Sequence, residues 1–359
     1  MNTFKKLLFF LTTHERKRAG LLLIMFMLKA LIDTIGVASI LPFMAVLTNP
    51  SLIETNFILN TMFQVSSLFG VEDNQQFLFA LGALVFVLLV ISLAFKALTT
   101  YLQVRFIQMR QYSIGKRLVE GYLHQPYSWF LSRNSADLGK TILSEVQLII
   151  GSGFTPLMTL MTQVMVTTAL ITLLIIADPK LALIVGFSLT TAYVLIFYFV
   201  RNYLNRTGEE RLKNNQLRFT AVSEAFGAAK EVKVGGLEET YIKIFSNSSQ
   251  IFARTQASAK VIGLLPSYIL EAIAFGGILL IILYNMNKTG SFNSTLPIVS
   301  LYVFAGYRLI PALQAIYNSF TQLTFVGPSV NKLYKDLKNL KPFNRNQDHG
   351  ILSFNKFIA

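Results

Sequence analysis

Six stretches of this chain are long and apolar enough to cross roughly 30 Å of hydrocarbon, which takes about twenty helical residues each. They are residues 19–47, 77–101, 154–177, 181–200, 261–286 and 296–325, the last interrupted by Arg308, Pro311 and several polar side chains. Backbone in lipid must satisfy every N–H and C=O internally, so such stretches fold as helices. The expected fold is an all-α membrane protein with six transmembrane helices. An even count puts both ends on one side. Composition agrees, with only 14% charged residues against roughly 25% in soluble domains, and a mean hydropathy of +0.52.

Loop charge assigns the sides. Residues 48–76 carry Glu54, Glu72 and Asp73 but no lysine or arginine, which places them outside. The segments "RFIQMRQYSIGKRLVEGYLHQ" and "RNYLNRTGEERLKNNQLRF", the amino terminus and "NKLYKDLKNLKPFNR" hold most of the basic residues. They are expected in the cytoplasm, with both termini, below an inner (plasma) membrane. The net charge of +14 therefore flanks the spans, and nucleic acid is not an expected partner. At the amino terminus "LLFFL" is too short for a cleaved signal and "THERKR" interrupts it, so residues 1–18 are expected to lie on the membrane as an amphipathic segment.

Little here points to an enzyme. There is no cysteine, and His14, His124 and His349 form no metal-binding pair. "SADLGKTILSE" contains Gly-Lys-Thr, the end of a phosphate-cradling loop. Such a loop also needs a glycine five positions before Gly139, and Asn134 stands there.

The two inner connections are long, charged and rich in helix formers, with recurrent apolar positions such as Leu102, Phe106, Met109 and Tyr112. The second span is expected to run through Leu123 until Pro126, and the third to begin near Ala136. The same reading carries helices from Arg201 to about Ala229 and back from Glu238 to Lys260, with "VGG" at 234–236 as the break. These helices should project well below the membrane as stalks. A basic helix follows Pro328 and is expected to end before Pro342, where a polar linker takes over, and residues 331–350 as a whole are assigned to the linker; the final "ILSFNKFIA", 351–359, alternates like a first strand.

Tiny outer links, long inner stalks and a terminal linker entering a strand together resemble the transmembrane half of an ABC exporter of the type I exporter fold. "GYLHQPYSWFLSRNSADLGKTILSEV" is similar to that family's first intracellular loop, and "AVSEAFGAAKEVKVGGLEETYIKIF" to its second. The resemblance implies coupling helices at Pro126, Tyr127, Trp129 and Phe130 and at Lys230, Glu231 and Val232. "LIDTIGVASILPFMAVL", "LEAIAFGG" and "YRLIPALQAI" further resemble the lipid-linked oligosaccharide flippases of bacterial protein glycosylation. Those carry a short external helix, for which "NFILNTMFQVSSLFG" offers Ile58, Met62, Val65 and Phe69 on one face.

What the resemblance implies is a domain at 19–330 working as half of a homodimer, moving an amphipathic, lipid-type substrate by alternating access. ATP and Mg2+ would bind only a nucleotide-binding domain, in cis or in trans, of which 351–359 would be the start. The alternatives are an ABC exporter of another lipid, a peptide or a drug, and, from another class, a self-contained six-span channel or secondary carrier, which needs no stalks and often breaks its helices at the midplane.

Charges inside the bilayer cost about 2.5–3.5 kcal/mol each on insertion scales and so are candidates for the substrate cavity. Lys29 and Asp33 stand four apart on one helix face, as a structural ion pair or as part of the pathway. Lys96 is placed to snorkel toward the inner interface among membrane lipids. Glu271 and Arg308 can pair across the bundle, or Arg308 can take a phosphate in fork geometry. If these cations face one cavity, the substrate head is anionic.

Overall fold

The computed structural model describes residues 3–67, 70–71, 73–133, 135–177, 179–289 and 296–340, and all regular structure among them is helical. Helix α1 spans Thr3–Phe10 and α2 Thr13–Ala38. A capping box starts α2: Thr12 N–H donates to Glu15 Oε2 at 2.8 Å, and Glu15 N–H donates to Thr12 Oγ1 at 3.4 Å. Then come α3 (Ile40–Thr48), α4 (Leu52–Thr55), α5 (Phe57–Ser67) and α6 (Asn74–Leu123). The 50 residues of α6 span about 75 Å at helical rise, more than twice the hydrocarbon thickness. Its surplus forms a stalk.

The short α7, Tyr127–Leu131, turns the chain into α8, Ser135–Lys140. Two π-helical segments follow, Thr141–Glu145 and Ile150–Phe154, flanking α9 (Val146–Ile149) and leading into α10 (Thr155–Ala177). Nothing in the sequence pattern pointed to those π turns. Helix α11 is Pro179–Gly227, α12 Ala229–Val234, α13 Glu238–Thr289 and α14 Leu296–Asn339. Both inner connections are thus continuous columns with short breaks, as the helix-former content required.

Among the described residues, Thr13–Thr48, Asn74–Leu123 and Ala136–Ile176 are long and apolar enough to cross a membrane. The other three expected spans fall within α11, α13 and α14, where many membrane-level side chains lie outside the described residues. The apolar surface is divided accordingly. Leu21, Ile24, Leu31 and Ile35 of α2 and Phe86 and Val87 of α6 are exposed, as lipid-facing side chains should be.

The largest core lies toward the end of the bundle that carries the stalks. It joins Leu7 and Phe10 of α1, Phe26 of α2, Ile114 and Leu118 of α6, Ile149 and Phe154 of the third spanning helix, Ala136–Ile176 (below, the third helix), and Val326, Val330 and Leu333 of α14. Two expectations change here. The amino-terminal helix turns Leu7 and Phe10, both fully buried, into the protein instead of laying that face on lipid. In the segment assigned to the linker, residues 331–339 continue α14 without a break and bury Leu333, because their apolar stripe finds α1 and α6. Residues 341–359, including "ILSFNKFIA", lie outside the described residues.

Between α3 and α6, Asn56 caps α5 by accepting from Ile58 N–H at 3.0 Å. Leu59, Met62 and Phe63 pack on Phe77 and Leu81 of α6. Ile58 and Val65 are exposed, so the face named from sequence is turned outward apart from Met62; Phe69 lies outside the described residues. Helix α5 has apolar side chains on two sides, and periodicity alone does not choose between them.

Candidate functional site

The C-terminal tip of α6 ends where proline dictates. Pro126 lacks a backbone donor and stands as N-cap of α7 with extended backbone, so the chain turns across the end of the stalk. Trp129 anchors the turn. Its ring lies 5.4 Å from that of Tyr122, which is 5% exposed, and 5.2 Å edge-on from Phe130. The Arg133 guanidinium covers it at 4.9 Å. Burial pushes the Tyr122 phenol well above its ordinary range. Tyr127 and Leu131 point the other way, 78% and 72% exposed. The result is a short helix with one face fixed against Tyr122 and an apolar outer one.

Gly-Lys-Thr lies directly behind it, and its geometry rules out a phosphate cradle: Gly139 is helical, and Lys140, fully buried, donates to Asp137 at 2.6 Å. Lys332 of α14 reaches the same carboxylate at 3.3 Å. Burial by itself raises Asp137, but the hydrogen bond and charge of Lys140 together with Lys332 hold it below 3.8, its ordinary value. Asp336 nearby is raised by burial, against the pull of Lys332 and Arg133. A raised carboxyl opposes folding once ionised; this cost shrinks as pH falls below its raised folded value and is gone below the ordinary value of the unfolded chain. Asp336→Asn is therefore expected to melt higher than the parent at neutral pH, and the gap should close below about pH 4, followed by Trp129 fluorescence.

The second inner turn is built differently. Gly236 has a φ of +61°, the left-handed conformation that favours glycine. Around it Leu237 N–H donates to Val232 O at 3.0 Å and Gly236 N–H to Lys233 O at 3.4 Å, with Leu237 and Val232 apolar as that helix stop requires. Val232 is buried, while Lys230 and Glu231 are exposed. Lys233 pairs with Glu238 at 2.9 Å across the turn. Beside it a groove of about 930 Å³ opens between the end of α11 and the start of α13, lined by Val222, Phe226, Tyr241, Ile242 and Phe245.

Within the membrane the five candidate charges part company. Lys29 and Asp33 are both buried, 7% and 6% exposed, and Asp33 Oδ1 accepts from Ser92 Oγ of α6 at 2.5 Å. Lys96 on α6 and Glu271 on α13 are exposed. Arg308 lies on α14, but its side chain is outside the described residues, and with it the proposed Glu271 pairing. Sequence reasoning missed the buried charges of the stalks, Glu15, Arg110, Glu145 and Arg211. Helical spacing held the signal, since Arg211 and Asn215 continue the inward stripe of Leu204 and Gly208.

No group in this arrangement is set up for bond chemistry. What it offers is two short helices at the tips of long rigid columns, and buried polar contacts joining those columns. The family model of the ABC transporter transmembrane region matches residues 18–307 of the chain.

Proposed function

The chain belongs to the family of ABC transporter transmembrane regions, and from that premise we propose that it is the membrane half of an ATP-driven exporter or flippase. Two copies assemble around a shared passage, each with six spans and both ends in the cytoplasm of the inner membrane. ATP and Mg2+ act on a nucleotide-binding domain, in cis or in trans, that seats on α7 and α12. Closure of two such domains draws the stalks together and parts the outer halves of the bundle.

One observation carries this reading: columns of 50, 49 and 52 residues, longer than a bilayer needs, are joined at their far ends through short helices of 5 and 6 residues. A channel or carrier has no use for such levers. The cargo is proposed to be an amphipathic lipid with an anionic head, most like a lipid-linked oligosaccharide. Exposed Lys96 favours this, being placed to meet a lipid phosphate at the inner interface. Arg308, Glu271 and the Lys29 and Asp33 pair are its proposed cavity residues.

The reading is tested in proteoliposomes holding the transporter with its nucleotide-binding domain. Flipping of a lipid-pyrophosphate oligosaccharide should exceed that of simple phospholipids and of peptides; equal rates would remove the lipid-oligosaccharide cargo. Trp129→Ala with Phe130→Ala frees α7 from Tyr122 and should lower substrate-stimulated ATP hydrolysis about tenfold, basal hydrolysis changing less. Unchanged stimulation would exclude α7 from coupling.

A further inference from the structure

Arg211 of α11 is 2% exposed although it stands in the polar run "GEERLKNN". Its guanidinium donates to Glu145 Oε2 at 2.9 Å and to Ser329 Oγ of α14 at 3.0 Å. The other carboxylate oxygen of Glu145 accepts from Asn215 Nδ2 at 2.6 Å. Glu145, Asn215 and Ser329 are 2%, 0% and 3% exposed. Arg218 extends the group to α13: it donates to Asn215 Oδ1 at 3.0 Å and its guanidinium lies 3.7 Å from the Phe252 ring centre. One dry cluster thus ties α11 and α13 to the third helix and to α14.

Such a cluster is a poor glue. Desolvating two charges offsets most of their attraction, and apolar side chains of similar size hold helices equally well. What distinguishes it is sensitivity to position. These bonds fail when helices slide by about an ångström, and each charge is then buried without a partner. Only two arrangements are comfortable: fully engaged, or parted far enough for water to enter.

Two independent features prepare the engaged arrangement. Glu145 is the last residue of a π-helical segment, whose extra residue turns the following face by roughly 100°. Gly208, one turn before Arg211, lets the α11 backbone reach Phe325 of α14, where an added Cβ would stand 2.3 Å from the carbonyl oxygen.

We infer that Glu145, Arg211, Asn215 and Ser329 form a latch that fastens α11 and α13 to α14 and the third helix in this conformation. Its release lets the two groups of helices part. The inference rests on the alternating-access reading above, and it assigns a place where that equilibrium is set. Glu145 lies in the turn after Lys140 and Asp137, on the helical column that starts with α8, a few residues along the chain from α7.

These 359 residues contain no cysteine, so with any cysteine of the nucleotide-binding domain replaced, labels attach only where cysteine is introduced. Leu217→Cys on α11 and Lys335→Cys on α14, both exposed, accept spin labels whose separation is measured in the full transporter in lipid nanodiscs. Glu145→Gln should move the population toward a longer separation, changing the ratio of the two states by about tenfold. Glu145→Gln with Arg211→Met removes both charges and should restore the shorter separation. The milder Ser329→Ala should shift the ratio in the same direction as Glu145→Gln, by about threefold, and serves if the carboxylate variant does not fold. An unchanged distribution in the folded variants, even with a lower melting temperature, would overturn the latch and leave a structural cluster only. The measurement needs neither substrate nor ATP. A transporter that flips cargo without the shift would refute the latch alone; the shift without flipping would refute the proposed cargo alone.

Discussion

Gly208→Ala is expected to destabilise the protein more than a methyl group added at any other described glycine. The new Cβ would stand 2.3 Å from Phe325 O, 3.2 Å from Phe325 C and 3.4 Å from Pro328 Cδ. That carbonyl belongs to the α14 backbone, which cannot swing aside as a side chain does. The helices must separate instead, and the contacts of Leu204 with Phe325 and of Arg211 with Ser329 loosen with them. Overpacking of this kind costs about 1–3 kcal/mol even after the better helix propensity of alanine is counted.

Other glycines supply the controls. At Gly263 and Gly121 the obstructing atoms are the ends of Asn318 and Leu340, 2.6 Å and 2.7 Å away, and both can rotate. Gly115 has nothing within 4 Å, so Gly115→Ala should stabilise α6 by about 0.5–1 kcal/mol. Thermal unfolding of the detergent-solubilised protein, read from its single tryptophan, Trp129, should rank the variants in that order. A Gly208→Ala protein that melts with or above the parent would mean that the helices do not approach so closely.

The columns were legible because the physics that makes them is local. Apolar length marks the spans, helix formers without proline carry α6 to Leu123, and Pro126 and the glycines at 235–236 end what precedes them. The partners of each face were not legible, because they come from far along the chain. Leu7 and Phe10 meet Val326 and Val330, a contact that no window of sequence contains. Charges misled for a related reason. In "GEERLKNN" the acids and bases read as a solvated run, yet Glu209 and Glu210 are exposed while Arg211 and Asn215 are buried. Only the helical stripe continuing from Leu204 separates them. The π turn at 141–145, which positions Glu145, left no mark in the hydrophobic pattern.

The same stripe on α6 brings Arg110 between Phe106 and Ile114, and there a second large effect is expected. Arg110 pairs with Glu15 of α2, the two side chains 6% and 11% exposed. Its Nε donates to Phe106 O at 3.3 Å, and its guanidinium lies 4.7 Å from the Phe106 ring centre. Burial alone raises the Glu15 carboxyl, but the Thr12 N–H, Ser113 and Arg110 together hold it below its ordinary 4.5. Arg110→Met keeps the apolar stem and removes the charge, leaving a carboxylate with its capping bond but no counter-ion. Removing one partner of a buried pair costs about 3–5 kcal/mol, and the surviving bonds to Thr12 and Ser113 point to the lower end.

The pH dependence identifies the cause. In the parent, the contribution of Glu15 is present above 4.5 and is lost as pH falls through its lower folded value. In the variant, burial prevails and the folded value rises, so acid relieves the strain that the missing cation created. The deficit of Arg110→Met should therefore shrink between about pH 7 and pH 4, and Glu15→Gln added to it should recover much of the loss even at neutral pH. A deficit equal at both pH values, and not repaired by the second substitution, would assign the effect to lost packing of the arginine stem. Because this pair fastens the start of α2 to the middle of the α6 stalk, the repaired variant should also regain the rigidity on which transmission from α7 depends.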